Sequence, residues 1–114
     1  LGHKDLFMVG DAGMPIPPGV EVIDLAVTAG VPSFTSVLDA VLSEAEVEGC
    51  YLAEEIRTHN EDLHAYLRGR LEDIPFEYMP HEELKKFSAK AEFAIRTGEF
   101  SPYPNVILRA GVVF

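Results

Sequence analysis

The sequence predicts an α/β protein, a three-layer α/β/α sandwich built around a central mixed β-sheet. Short apolar runs typical of buried strands alternate along the chain with segments whose apolar residues recur at helical spacing. Several connections between strands are too short for right-handed crossovers, which indicates a mixed rather than a purely parallel sheet. Because the 114 residues contain no repeat and no linker, one domain over residues 1–114 is expected.

The first half of the chain begins with a buried strand and a stiff loop. Residues 6–9 are uninterruptedly apolar, which predicts a strand covered on both faces. Three prolines and two glycines in residues 11–19 rule out a helix there and predict an extended loop, followed by a strand over 20–26. Ser33 is the predicted N-cap of a helix that ends before Gly49. The apolar face of this helix consists of Phe34, Val37, Leu38, Val41 and Leu42.

The second half continues the alternation of strands and helices. Residues 50–53 predict a buried strand, in which the single cysteine, Cys50, is interpreted as a small core residue. Asn60 is the predicted N-cap of a helix with one apolar side, formed by Leu63, Tyr66, Leu67 and Leu71. Further strands are predicted at 74–78, 93–96, 106–108 and 112–114, a helix at 82–90, and turns at 97–98 and 101–105.

Composition and missing motifs rule out several function classes. The net charge of −10 makes general electrostatic binding to nucleic acid or to an anionic membrane unfavourable. No apolar run reaches the length of a membrane span, and one cysteine cannot form an internal disulfide, which favours a cytoplasmic location. The chain has no glycine-rich phosphate loop, no Cys-x-x-Cys pair and no His-Glu-x-x-His motif. Any chemistry therefore depends on acid, base and hydrogen-bonding side chains.

Candidate chemical groups lie in three regions. His3 precedes the first predicted strand, and Asp11 follows it at a position where a carboxylate can bind a ligand hydroxyl. His81 lies at a strand-to-helix junction, where α/β folds commonly place ligand-facing side chains. Tyr103 and Asn105 share a rigid turn and suit sugar hydroxyls. Spacing alone favours structural roles for the two histidines and an ordinary surface turn at 101–105, and it makes a turn-forming role for Asp11 equally common.

Two further groups of polar residues are interpreted structurally. Glu54 and Glu55, which follow the predicted strand at 50–53, could form an acid/base pair. Adjacent residues in a strand point to opposite faces, however, so ion pairs with Arg57 or a neighbouring subunit are expected instead. His59 and His64 belong to a charged helix start and are expected to face solvent.

Nine short motifs are spread over nearly the whole chain. They are Leu-Gly-His-x-Asp at 1–5, Asp-Ala-Gly-Met-Pro-Ile-Pro at 11–17, Ile-Asp-Leu-Ala at 23–26, Val-Pro-Ser-Phe at 31–34, Leu-Ala-Glu-Glu-Ile at 52–56, His-Glu at 81–82, Ile-Arg-Thr-Gly-Glu at 95–99, Ser-Pro-Tyr-x-Asn at 101–105 and Gly-Val-x-Phe at 111–114. Together they resemble the D-ribose pyranase family, within the wider ribose pyranase and fucose mutarotase superfamily, and the 11–17 loop matches the ribose branch. Members of that family carry a further N-terminal stretch, so a natural N-terminal segment is expected to be missing. The loop at 71–76 is also shorter than in some members.

The resemblance implies an isomerase that interconverts the pyranose and furanose forms of free D-ribose, and in some members also anomers, without a cofactor or a metal. It implies that His3 is the catalytic acid/base. The sugar-binding residues that it implies are Asp11, His81, Tyr103, Asn105 and, through its backbone, Pro104. It also implies a homo-oligomer, often a decamer of two stacked pentameric rings, with each site shared between neighbouring subunits.

Three alternatives remain open at this point. The first is a mutarotase for another monosaccharide such as L-fucose. The second is a non-catalytic sugar-binding protein that uses the same pocket. The third is a metal site formed by His3, Asp11 and His81, although their order and spacing match no metal-binding motif.

Overall fold

The computed structural model describes residues 4–111, and six strands in this part of the chain form one sheet. The strands are β1 (Leu6–Gly10), β2 (Glu21–Asp24), β3 (Val47–Ala53), β4 (Phe76–Met79), β5 (Ala91–Arg96) and β6 (Val106–Ala110). The helices are α1 (Phe34–Glu44), α2 (Ile56–His59), α3 (Glu61–Arg70) and α4 (His81–Phe87), the last followed by a 3-10 turn at Ser88–Lys90. Across the sheet the strand order is β2-β5-β1-β6-β3-β4.

Strand direction makes the sheet mixed, as the sequence predicted. β1 and β2 both run parallel to β5, and β4 runs parallel to β3. β6 lies between β1 and β3 and is antiparallel to both. The carboxyl ends of the other five strands and the amino end of β6 therefore share one edge of the sheet, the carboxyl edge.

Helices cover both faces of the sheet, which confirms the three-layer α/β/α architecture. Because side chains alternate along a strand, Phe7 and Val9 point into one layer and Met8 points into the other. Buried side chains of α1 and α3 pack in the first layer. In the second layer, α4 contributes the buried side chain of Leu84. Ser33 caps α1 as predicted, since its Oγ accepts the backbone N–H of Ser36 at 3.2 Å.

Several predicted boundaries differ from the structure. β3 begins at Val47 rather than at residue 50 and passes through Gly49, which was predicted to end the preceding helical segment. Gly49 suits the strand because the guanidinium group of Arg109 lies across it, with atoms 2.8 Å from where a Cβ would stand. β2 covers only four residues, all of them exposed.

Other differences lie further along the chain. The helix α2 was not predicted, β4 excludes Ile74, and the predicted helix 82–90 is divided into α4 and the 3-10 turn. The predicted strand 112–114 lies outside the described residues. Within residues 4–111, no helix is both long enough and apolar enough to cross a membrane.

An apolar groove of about 770 Å³ lies beside β2. Its lining includes Ile23 and Leu25 near β2 and Val37 and Val41 on α1, and it includes none of the candidate site residues. The groove is therefore separate from the polar residues at the carboxyl edge.

Cys50 provides a direct test of the core. The residue is 1% exposed, and burial raises the pKa of its thiol to about 12, which confirms its interpretation as a core residue. At about pH 8, only about one thiol in ten thousand is then ionised, so the folded protein should resist DTNB (a thiol-specific reagent). Denaturation in guanidinium chloride should release one reactive thiol per chain. Rapid stoichiometric labelling of the folded protein would contradict this packing.

Candidate functional site at the carboxyl edge

The carboxyl edge of the sheet brings together polar residues from distant parts of the chain. Asp11 directly follows β1, and His81 is the first residue of α4, two positions after the end of β4. Asn105 directly precedes β6, two positions after Tyr103. Because β6 is antiparallel to β1, its first residue reaches the edge where β1 ends. Four of the predicted site residues therefore lie at one edge.

Asp11 and Asn105 are in direct contact. Asn105 is buried, and its Oδ1 accepts the backbone N–H of Asp11 at 2.9 Å. The Asp11 carboxylate accepts the backbone N–H of Gly13 at 3.1 Å, so the turn-forming role of Asp11 is present as well. Burial raises the pKa of Asp11 above its ordinary value. This effect of burial on the pKa is larger than the opposite effects of the hydrogen bonds from Met14, Gly13 and Asn105 and of the attraction of His81.

Tyr103 is held in an uncommon backbone conformation between two histidines. Its φ is 55°, in the left-handed region that few residues other than glycine adopt. Its ring centroid lies 5.0 Å from that of His81 and 5.6 Å from that of His59. Asn60 donates its side-chain N–H to the carbonyl of Pro102 at 2.8 Å. A strained residue retained by such surroundings is typical of functional sites.

These contacts change two predictions about α2 and α3. His59 is exposed, as expected, but its ring also packs beside Tyr103, which the sequence did not indicate. Asn60 occupies the N-cap position of α3, yet its side chain makes no capping hydrogen bond to the helix and binds Pro102 instead.

The backbone of His81 is anchored by Glu55. Both carboxylate oxygens of Glu55 accept the backbone N–H of His81, at 2.9 and 3.1 Å. Arg57, the expected partner of this glutamate, lies over the ring of Tyr78 at 3.5 Å. Nδ1 of His81 is buried and has no hydrogen-bond partner within residues 4–111. This imidazole nitrogen is therefore unsatisfied among the described residues.

Pro104 and His3 complete the set of predicted site residues. Pro104 is buried between Tyr103 and Asn105. His3 lies outside the residues that the structure describes. Among those residues, no group of three or more His, Cys, Asp or Glu side chains is arranged to hold a metal ion.

The fold and the site define an α/β protein with a small polar site made of carboxylate, imidazole, phenol and amide groups, which suit a ligand rich in hydroxyls. The model of the RbsD / FucU transport protein family matches residues 1–113, and the chain belongs to this family. The resemblance inferred from the motifs is thereby confirmed.

Three relatives illustrate the similarity. The chain is 49% identical, over its full length and 87% of the relative, to the D-ribose pyranase of Lactiplantibacillus plantarum. It is 55% identical to D-ribose pyranase 2 of Streptomyces griseus, again over all of this chain and 87% of the relative. Among solved structures, Bacillus subtilis RbsD complexed with D-ribose superposes with a TM-score of 0.97 at 41% identity, covering 100% of this chain and 87% of that one.

Gly10 provides a test of the contact between Asp11 and Asn105. A Cβ at Gly10 would lie 2.8 Å from Oδ1 of Asn105, so Gly10→Ala should displace that side chain from the Asp11 N–H. We expect the free energy of unfolding to fall by about 1–3 kcal/mol. Urea denaturation measures this loss, and the NMR shift of the Asp11 amide reports the broken hydrogen bond.

Gly69→Ala is the matched control for this experiment. Gly69 lies in α3, and a Cβ there would meet nothing within 4 Å. This variant should be at least as stable as wild type, because alanine is favoured over glycine in a helix. An Asp11 amide unchanged in Gly10→Ala would contradict the proposed steric conflict.

Proposed function

We propose that this chain is a D-ribose pyranase, an isomerase that interconverts the pyranose and furanose forms of free D-ribose. The observation that carries this proposal is its identity of roughly half, over its whole length, with proteins of that name. The polar groups at the carboxyl edge support it. A neutral sugar is recognised by hydrogen-bonding groups, and a net charge of −10 does not oppose its binding.

Each of the two steps of the reaction requires one proton to be removed and one to be delivered. Opening the pyranose removes the proton of the anomeric hydroxyl, breaks the bond between C1 and the ring oxygen, and delivers a proton to that oxygen. The 4-hydroxyl of the open-chain aldehyde then adds to C1 to close the furanose, losing its proton while the aldehyde oxygen gains one. Both steps respond to general acid–base catalysis by a group that titrates near neutrality. Histidine has an ordinary pKa of about 6.5 and suits this role, which we assign to His3.

The remaining site residues are proposed to bind and orient the sugar. His81, whose ring packs against that of Tyr103, would contribute an imidazole nitrogen to a sugar hydroxyl. Tyr103 would contribute its phenol and Asn105 its amide. Pro104 would contribute its backbone carbonyl. Asp11 would anchor a hydroxyl or orient His3. In this mechanism the sugar is held and protonated by protein groups alone, without a cofactor or a metal.

The geometry of β1 supports a site shared between two copies of the chain. The carbonyl of Asp5 accepts the backbone N–H of Ala110, and Ala110 ends β6 at the edge opposite to the carboxyl edge. Asp11 lies six positions after Asp5 along extended chain, a distance of roughly 20 Å. His3 lies two residues before Asp5 in the sequence. We therefore propose that His3 of one subunit completes the site that Asp11 of a neighbouring subunit begins, in a homo-oligomer such as the expected decamer.

A cytoplasmic location is part of the same proposal. Cys50 is a free thiol, which fits a reducing compartment.

Substitution of His3 tests the catalytic assignment. His3→Ala should slow ribose ring exchange by about 100-fold or more, measured by saturation-transfer NMR, because the reaction loses its proton-transfer group. Tyr103→Phe should mainly weaken ribose binding. His64→Ala is the control, since the imidazole of His64 binds the hydroxyl of Tyr78 at 2.7 Å and, within residues 4–111, no proposed site residue.

The same assay separates the alternative functions. Ribose that binds in calorimetry without faster exchange would identify a non-catalytic sugar-binding protein. Faster exchange of L-fucose or galactose, but not of ribose, would identify a mutarotase for another sugar. Exchange of ribose at the wild-type rate in His3→Ala would contradict the role of His3.

Mixing two inactive variants tests the shared site. His3→Ala and Asp11→Ala should each be impaired alone, whereas a refolded equal mixture should regain activity at about a quarter of its sites, where each subunit supplies the intact residue. Sedimentation of the mixture confirms that the oligomer has reassembled. A reassembled mixture without regained activity would contradict a site shared in this way.

A further inference from the structure

The carboxylate of Glu99 joins two segments of the carboxyl edge. Glu99 follows β5, and its Oε1 accepts the backbone N–H of Phe34, the first residue of α1, at 3.0 Å. Its Oε2 accepts the backbone N–H of Ser101 at 3.3 Å. Ser101 stands two residues before Tyr103. One side chain thus connects the start of α1 to the segment that carries Tyr103 and Asn105.

The backbone around Glu99 is itself anchored to both sides of Asp11. The hydroxyl of Thr97, which is fully buried, donates to the carbonyl of Gly10 at 2.8 Å and accepts the N–H of Glu99 at 3.2 Å. The carbonyl of Glu99 accepts the N–H of Ala12 at 3.2 Å. Gly10 and Ala12 flank Asp11 in the sequence. Glu99 is therefore fixed relative to Asp11 before its side chain reaches Ser101.

The charge of Glu99 strengthens these contacts. Partial burial acts to raise the pKa of Glu99, but hydrogen bonds from the N–H groups of Phe34, Ser101 and Phe100 and from the Ser101 side chain outweigh burial and hold the pKa below its ordinary value. The group is therefore an anion near neutral pH, and its hydrogen bonds are charge-assisted. The start of α1 also favours a negative charge because of the helix dipole.

We propose that Glu99 is a positioning residue of the carboxyl edge, which sets Tyr103 and Asn105 relative to Asp11. It acts through the backbone of Ser101 and needs no contact with the ligand. The inference rests on the proposed function only for the identity of that ligand, D-ribose. A residue that served only stability would change the free energy of unfolding and leave ribose affinity unaltered.

Two substitutions and a matched control test this role. Glu99→Gln keeps the shape of the side chain but replaces one acceptor oxygen by a donor NH2 group, so one of the two backbone N–H groups loses its partner. Glu99→Ala removes both acceptors. Glu92→Gln makes the same chemical change at an exposed position of β5. KM and kcat for ribose exchange are measured by NMR, and ribose affinity is measured by calorimetry.

The expected result is a change in binding rather than in turnover. In Glu99→Gln, KM should rise about 10-fold while kcat changes less than about 3-fold, because Tyr103 and Asn105 are proposed to bind the sugar and His3 to transfer the proton. The NMR amide signals of residues 101–105 should shift, Glu99→Ala should show a larger effect, and Glu92→Gln should resemble wild type. Combination of Glu99→Gln with Tyr103→Phe should raise KM by less than the product of the separate effects, because the two residues act on the same contact.

Three outcomes would overturn the proposal. They are a folded Glu99→Gln protein with wild-type KM and unshifted signals at 101–105, multiplicative effects in the double variant, and loss of folding in both Glu99 variants, which would assign the residue to the fold. A wild-type protein that does not accelerate ribose exchange would instead reject the proposed function. In that case the amide shifts and the calorimetric affinity still decide whether Glu99 positions the segment.

Discussion

The reversed direction of β6 is the constraint on which the site depends. A sheet of parallel strands collects the residues after each strand at one edge, and the antiparallel β6 adds the residues before it to that edge. Val9 and Val106 are register partners, so Asp11 and Asn105 lie next to each other just beyond that pair. A one-residue slip in this register would turn every side chain of β6 to the opposite layer. The packing of both core layers therefore also fixes the geometry of the site.

The site is held by hydrogen bonds to backbone as much as by packing. Glu55 accepts the N–H that begins α4, and Glu99 accepts the N–H that begins α1. In both cases a glutamate located after a strand binds the first residue of a helix, where backbone N–H groups lack partners within the helix. The two side chains contribute to the acidity of the chain, yet each serves an internal donor. Acidic composition is therefore not by itself evidence of an acidic ligand-binding surface.

The range of each interaction along the chain determines whether the sequence could predict it. β1, α1 and the cap at Ser33 depend on neighbours within a few residues, and the structure confirms them. The bond from Asn60 to Pro102 joins residues 42 apart, and the path of β3 through Gly49 depends on Arg109, so no local pattern indicates either. The same holds for the site. The motifs singled out Asp11, His81, Tyr103 and Asn105, but only the strand order explains why they lie at one edge.

The length of β1 bears on why such a small chain would assemble. A strand of five residues holds the segments at its two ends further apart than any side chain can reach. This separation is the reason for proposing that a catalyst using residues from both ends of β1 draws them from two copies of the chain. The binding groups proposed for the carboxyl edge need no deep cavity in a modest core. In the proposed oligomer, a neighbouring copy would complete the site, and the hydrophobic core of each copy would remain intact.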